Sequence, residues 1–147
     1  DSQSDETSNL IGDANKKGWK YIISAFTAME CVDIKQEHKF FYDKVSLGIP
    51  LKGIINKRRE RDLSESDIKQ VNSIIKRKSK NYKLDEVIPT SGKDDWDLAL
   101  EVCKNTNITC NDAIHLATAY NSASDILVTN DDFFIKEGNI YLEKNNL

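Results

Sequence analysis

The spacing of hydrophobic positions changes several times along this chain. Trp19-Lys20-Tyr21-Ile22-Ile23 is an aromatic and β-branched run with the character of a strand. From Ala25 to about Leu47 the apolar residues Phe26, Met29, Val32, Phe40, Phe41 and Val45 recur at roughly helical spacing. Ser24 stands where it can cap that helix, and Gly48-Ile49-Pro50 ends it. Ahead of these, Asp1–Ser8 reads as a loop or frayed helix start, and Asn9–Lys17 predicts a short helix closed by Gly18. Leu51–Arg61 predicts a helical arm. Leu63-Ser64-Glu65-Ser66-Asp67 has the form of a helix start, a serine cap with an acid three residues on. That helix continues through Ile68, Val71, Ile74 and Ile75 to about Tyr82. Leu84–Ile88 predicts a strand, Pro89-Thr90-Ser91-Gly92 a loop, and Trp96–Asn105 a helix capped by Asp94 or Asp95.

The stretch Asn111–Phe133 organises the rest. Asn111 or Thr109 can cap a helix through Asp112-Ala-Ile-His-Leu-Ala-Thr-Ala-Tyr, and Ala113, Ala117 and Ala119 would let it lie close against a sheet. Ile126-Leu127-Val128 suits a strand buried on both faces of a parallel sheet. Thr129-Asn130-Asp131-Asp132 then falls at that strand's carboxyl end, the edge where open α/β sheets bind ligands. Gly138–Glu143, with Ile140 and Leu142 alternating, predicts a last edge strand. Strands alternating with helices predict an α/β fold with a central, mainly parallel sheet and right-handed crossovers.

A length of 147 residues fits a single domain, with no internal repeat or linker. No apolar run is long enough to cross a membrane, and the polar, acidic start is unlike a signal peptide. Cys31, Cys103 and Cys110 have no C-x-x-C spacing and read as reduced, mostly buried thiols of a cytoplasmic protein. With His38 and His115 the only histidines, a zinc site is not expected. Net charge is −3, but Lys52–Lys83 holds eleven Lys or Arg against four Asp or Glu, a local excess of seven. One basic segment in an otherwise acidic chain suggests a polyanion partner; a solvated helix face is the plainer alternative.

Glu30 lies soon after the first predicted strand, so Glu30, Asp112 and Asp131 can share one sheet edge. Clustered carboxylates repel unless a cation compensates, and Mg²⁺ or Mn²⁺ suits an all-oxygen cluster. Such ions can generate a hydroxide nucleophile and stabilise the leaving oxygen of a phosphodiester. Taken singly, each acid is equally a helix cap or a surface charge. Asp132 competes with Asp131 for the site, and Asp94, Asp95 and Asp97 read as cap chemistry. His115, one turn after Asp112, is either catalytic or packed; Trp19 and Trp96 read as core.

DAIHLATA followed by ILVTNDDF resembles the C-terminal half of PIN-domain nucleases, which include the VapC toxins of toxin–antitoxin pairs. IISAFTAMEC resembles the segment bearing that family's glutamate. The resemblance covers most of Trp19–Phe134 in order and spacing; Lys52–Ser91 matches poorly. It implies a three-layer fold, a Mg²⁺- or Mn²⁺-dependent endoribonuclease, a homodimer and an antitoxin partner. Glu30, Asp112 and Asp131 match three of the family's four acids, and Thr129 the small polar residue beside the last. Asn130 and Asp132 flank that acid. The family begins with an apolar strand ending in its first Asp, which is expected upstream of residue 1, with Asp1 or Asp5 the lesser alternatives. Lys57, Arg58, Arg59, Arg61, Lys76, Arg77 and Lys78, in the helical basic segment at about 51–83, would hold RNA phosphates. Ile54, Ile55, Ile74 and Ile75 would serve a dimer or antitoxin surface. A catalytically inactive RNA- or protein-binding module is the competing expectation.

Overall fold

The computed structural model describes residues 2–81, 87–88 and 92–147, with side chains described over 8–80 and 92–147. Among the described residues the chain forms seven helices: α1 (Ser2–Lys16), α2 (Ala25–Ser46), α3 (Leu51–Lys57), α4 (Glu65–Asn81), α5 (Lys93–Asn105), α6 (Cys110–Asn121) and α7 (Asp132–Asn145). The strands are two-residue pieces, β1 (Ile23–Ser24) and β2 (Val87–Ile88), which pair with each other. The expected three-layer α/β fold with a central parallel sheet is therefore corrected to a mostly helical one. Residues 84–86 of one expected strand, and the loop residues 89–91, lie outside the described residues.

The reasons are local. Ile126-Leu127-Val128 is irregular and belongs to no ladder, and its side chains are exposed. A three-residue apolar run has no period of its own, so only a partner can make it a strand. The expected edge strand at Gly138–Glu143 is helical because Phe134, Gly138 and Tyr141 fall on one face at four- and three-residue steps, and all three are buried. That helical face outcompetes the two-residue alternation of Ile140 and Leu142. Trp19–Ile22 stays irregular, with only Ile23 and Ser24 pairing.

Several expected helix ends hold. Gly18 and Gly48 take the left-handed conformation (φ +71° and +73°) that lets the chain leave α1 and α2 without a Cβ clash. Ser64 and Asp67 form a reciprocal cap on α4: Asp67 N–H donates to Ser64 Oγ, and Ser64 N–H donates to Asp67 Oδ2. By contrast α5 begins at Gly92 with no side-chain cap, so the capping role expected of Asp94 or Asp95 is not realised.

The chain divides into two compact units. The first comprises Asp1–Ile23 with Ala28–Val87, the second Ser24–Thr27 with Ile88–Leu147. In the first, Ala14, Phe40, Ile54 and Val71 are buried. Ile54, expected on a partner surface, is thus core; Ile74 and Ile75 are half-buried and Ile55 is exposed. In the second, Ala99 and Val102 of α5, Ile108, and Ala113, Ile114, Leu116 and Ala117 of α6 form a continuous core with Phe134 and Tyr141 of α7. The alanines of α6 allow close approach as expected, but their layer holds a helix, α5, where a sheet was expected.

Candidate functional site

Asp112 lies in the first turn of α6. Thr109 caps that helix: its Oγ1 accepts the Asp112 N–H at 3.3 Å and donates to Asp112 Oδ2 at 2.5 Å. Asp112 is half-buried. Asp131 is the N-cap of α7, where its Oδ1 accepts the Phe134 N–H at 2.9 Å. Thr129 Oγ1 in turn accepts the Asp131 N–H at 3.2 Å. Asn130 and Asp132 are exposed, and Asp132 opens α7. Thr129–Asp132 is thus a helix entry, whereas the sequence reading placed it at the end of a strand.

The two aspartates belong to the second unit, each at the start of a helix that buries residues in the same core. Glu30 is half-buried in α2 and belongs to the first unit. Among the described residues no group of three His, Cys, Asp or Glu side chains is arranged to hold a metal ion. By donor chemistry each of these carboxylates suits Mg²⁺ or Mn²⁺.

His115 is half-buried on α6, with its Nδ1 3.3 Å from Thr27 Oγ1. Thr27 Oγ1 also lies 2.9 Å from Ser24 Oγ, and the Phe26 ring meets the imidazole edge-on at 5.3 Å. This Ser24–Thr27–His115 chain of polar contacts joins residues 88 positions apart, and no periodicity in the sequence announces it. It places His115 in packing contact, the plainer of its two expected roles. Trp96 is exposed and Trp19 nearly half-exposed, so neither is the core residue it was read to be. Cys31 and Cys110 are exposed and Cys103 is half-buried; burial, and the nearby Cys110, push the Cys103 thiol above its usual range.

The basic segment resolves into two kinds of cation. Arg61 is half-buried and committed: its two terminal nitrogens donate to Asp33 O at 2.8 Å and Asp33 Oδ1 at 2.7 Å, and its Nε donates to Arg58 O. Lys57, Arg58 and Arg59 are exposed around the end of α3, and Lys76, Arg77 and Lys78 are exposed on α4. The segment's acids are mostly engaged. Asp62 pairs with Lys44 at 3.0 Å, Asp67 with Lys39 at 2.7 Å and Glu65 with Lys69 at 3.2 Å. Lys39 beside it, with Ser64, holds the Asp67 carboxyl down at about 2; Lys44 lowers Asp62.

No protein-family model, curated protein or solved structure matches this chain. Among the described residues no helix is long and apolar enough to cross a membrane.

Proposed function

We propose that this chain is a Mg²⁺- or Mn²⁺-dependent endoribonuclease, the toxin of a toxin–antitoxin pair, in which Asp112 and Asp131 supply metal-binding carboxylates. The observation that carries the reading is the ordered resemblance of residues 112–119 and 126–133 to PIN-domain nucleases. Two points in three dimensions support it: Asp112 and Asp131 both stand at helix N-termini over one core, and Asp131 is solvent-exposed. When bound, the metal would supply charge stabilisation at a phosphodiester. The chain's own contribution is to hold the two carboxylates at fixed helix ends, Asp112 through Thr109 and Asp131 through the Phe134 N–H. An antitoxin and a second copy of the chain are the protein partners this reading carries.

A second reading, RNA or protein binding without cleavage, is favoured by one observation: Asp131 accepts the Phe134 N–H that caps α7, and Asp112 accepts the hydroxyl of Thr109, the residue that caps α6, structural roles that require no metal. Asparagine caps a helix about as well as aspartate but lacks its charge. Asp131→Asn therefore separates the two readings. Calorimetry should show Mn²⁺ binding to the unsubstituted protein and a loss of affinity in Asp112→Asn and Asp131→Asn, with melting temperatures close to the parent. Equal Mn²⁺ affinity in all three proteins contradicts the proposed metal site.

A further inference from the structure

The segment after α3 and along α4 gives up its negative charge to α2 and keeps its positive charge exposed. Two of its four acids, Asp62 and Asp67, pair with Lys44 and Lys39 of α2, and Glu65 pairs within α4. Arg61 is turned the other way, onto Asp33 of α2. Among the described residues no carboxylate lies within ion-pair distance of Lys57, Arg58, Arg59, Lys76, Arg77 or Lys78. The solvated surface is therefore more cationic than the composition of the segment suggests, because three of its four acids are already paired, two of them with lysines of α2.

We propose that Lys57, Arg58 and Arg59, with α4's Lys76, Arg77 and Lys78, grip the phosphates of single-stranded RNA, and that Arg61 takes no part, serving as a brace between α2 and the turn after α3. The inference shares with the proposed function the choice of RNA as partner, and does not depend on cleavage. An oligoanionic strand fits because the cations come as two consecutive runs with no paired acid among them, and phosphate contacts require only charge and reach. The runs differ in geometry. Successive residues of a helix turn by about 100°, so Lys76 and Lys78 diverge by about 200° and one strand meets at most two of the α4 cations. The turn carrying Arg58 and Arg59 lies past the helix end and carries no such restriction.

The test is binding of a fluorescent single-stranded RNA oligonucleotide to the full chain over a salt series in EDTA, so that cleavage plays no part. Three proteins are compared with the parent: Lys57→Gln/Arg58→Gln/Arg59→Gln, Lys76→Gln/Arg77→Gln/Lys78→Gln, and Arg61→Gln. Each lost contact should flatten the slope of log K against log[salt] by roughly 0.7, giving about 2 for the turn variant and about 1.4 for the α4 variant. Arg61→Gln should leave the slope unchanged and lower the melting temperature. An unchanged slope in both triple variants overturns the proposal, as does a fall with Arg61→Gln equal to theirs. Triple variants that lose binding to poly-glutamate while keeping the RNA slope overturn it in favour of an acidic protein partner. A protein that shows these slopes and never cuts RNA defeats the nuclease reading alone.

Discussion

In the second unit, α6 buries Ala113, Ile114, Leu116, Ala117 and Thr118 against α5 and α7, and the ion pairs there, Lys93–Asp97 and Lys104–Glu101, join residues within one helical turn. In the first unit, α2, α3 and α4 each bury one residue among those described, Phe40, Ile54 and Val71, while Lys39–Asp67, Lys44–Asp62 and Arg61–Asp33 link different elements. One unit is held by contiguous apolar contact, the other relies more on charge. Exposed ion pairs each contribute only a fraction of a kcal/mol and are screened by salt. The first unit should therefore be the more salt-sensitive, and its surface charge remains available for a ligand.

The largest effect should come from breaking the apolar unit. Phe134, 4% exposed, anchors α7 on the core, and Phe134→Ala should cost about 3–5 kcal/mol by urea denaturation. A loss below about 1 kcal/mol would show that α7 does not pack as described. Next comes the cap of α4. Ser64→Ala removes the hydroxyl that accepts the Asp67 N–H, and should cost about 1 kcal/mol. Gly138 offers a change of opposite sign. A Cβ there would meet Phe134 at 3.7 Å and Leu116 at 3.9 Å, ordinary contact distances, so Gly138→Ala should stabilise α7 by about 0.5–1 kcal/mol. Destabilisation would mean that the helix is tighter at that point than it is here.

These sites also show what the sequence revealed. The spans of α2, α5 and α6, the Ser64 cap and the glycine stops were legible because period, cap and stop residue agree in each. The sheet was misread because Ile126–Val128 and Ile140/Leu142 are too short to distinguish strand from helix or loop without their partners. Of the candidate site, Asp112 at a helix start was legible from Thr109 and Asn111. Asp131 was assigned to the wrong kind of element, since Thr129-Asn130-Asp131 suits both a strand end and a helix cap. The Arg61 brace and the Ser24–Thr27–His115 contacts join residues far apart in sequence, and pattern has no access to such pairs.

The smallest effect sharpens the contrast through pH. Asp67 has its carboxyl lowered from 3.8 to about 2 by Lys39 and Ser64, so its stabilisation is present above 3.8 and is lost as pH falls toward 2. Asp67→Asn should flatten the fall in stability over that interval and change little at pH 7 beyond the lost pair. Acid titrations of both proteins by circular dichroism check it, and superimposable curves would remove Lys39–Asp67 from the account.

The claim that Asp112 and Asp131 carry metal-dependent RNA cleavage is tested most directly by one assay. End-labelled single-stranded RNA is incubated with the protein in Mn²⁺, in Mg²⁺ and in EDTA, with Asp131→Asn alongside. The account predicts internal cleavage with either ion, none in EDTA, and loss of cleavage in Asp131→Asn at unchanged helical content. Cleavage that persists in EDTA, or at the parent rate in Asp131→Asn, would contradict it.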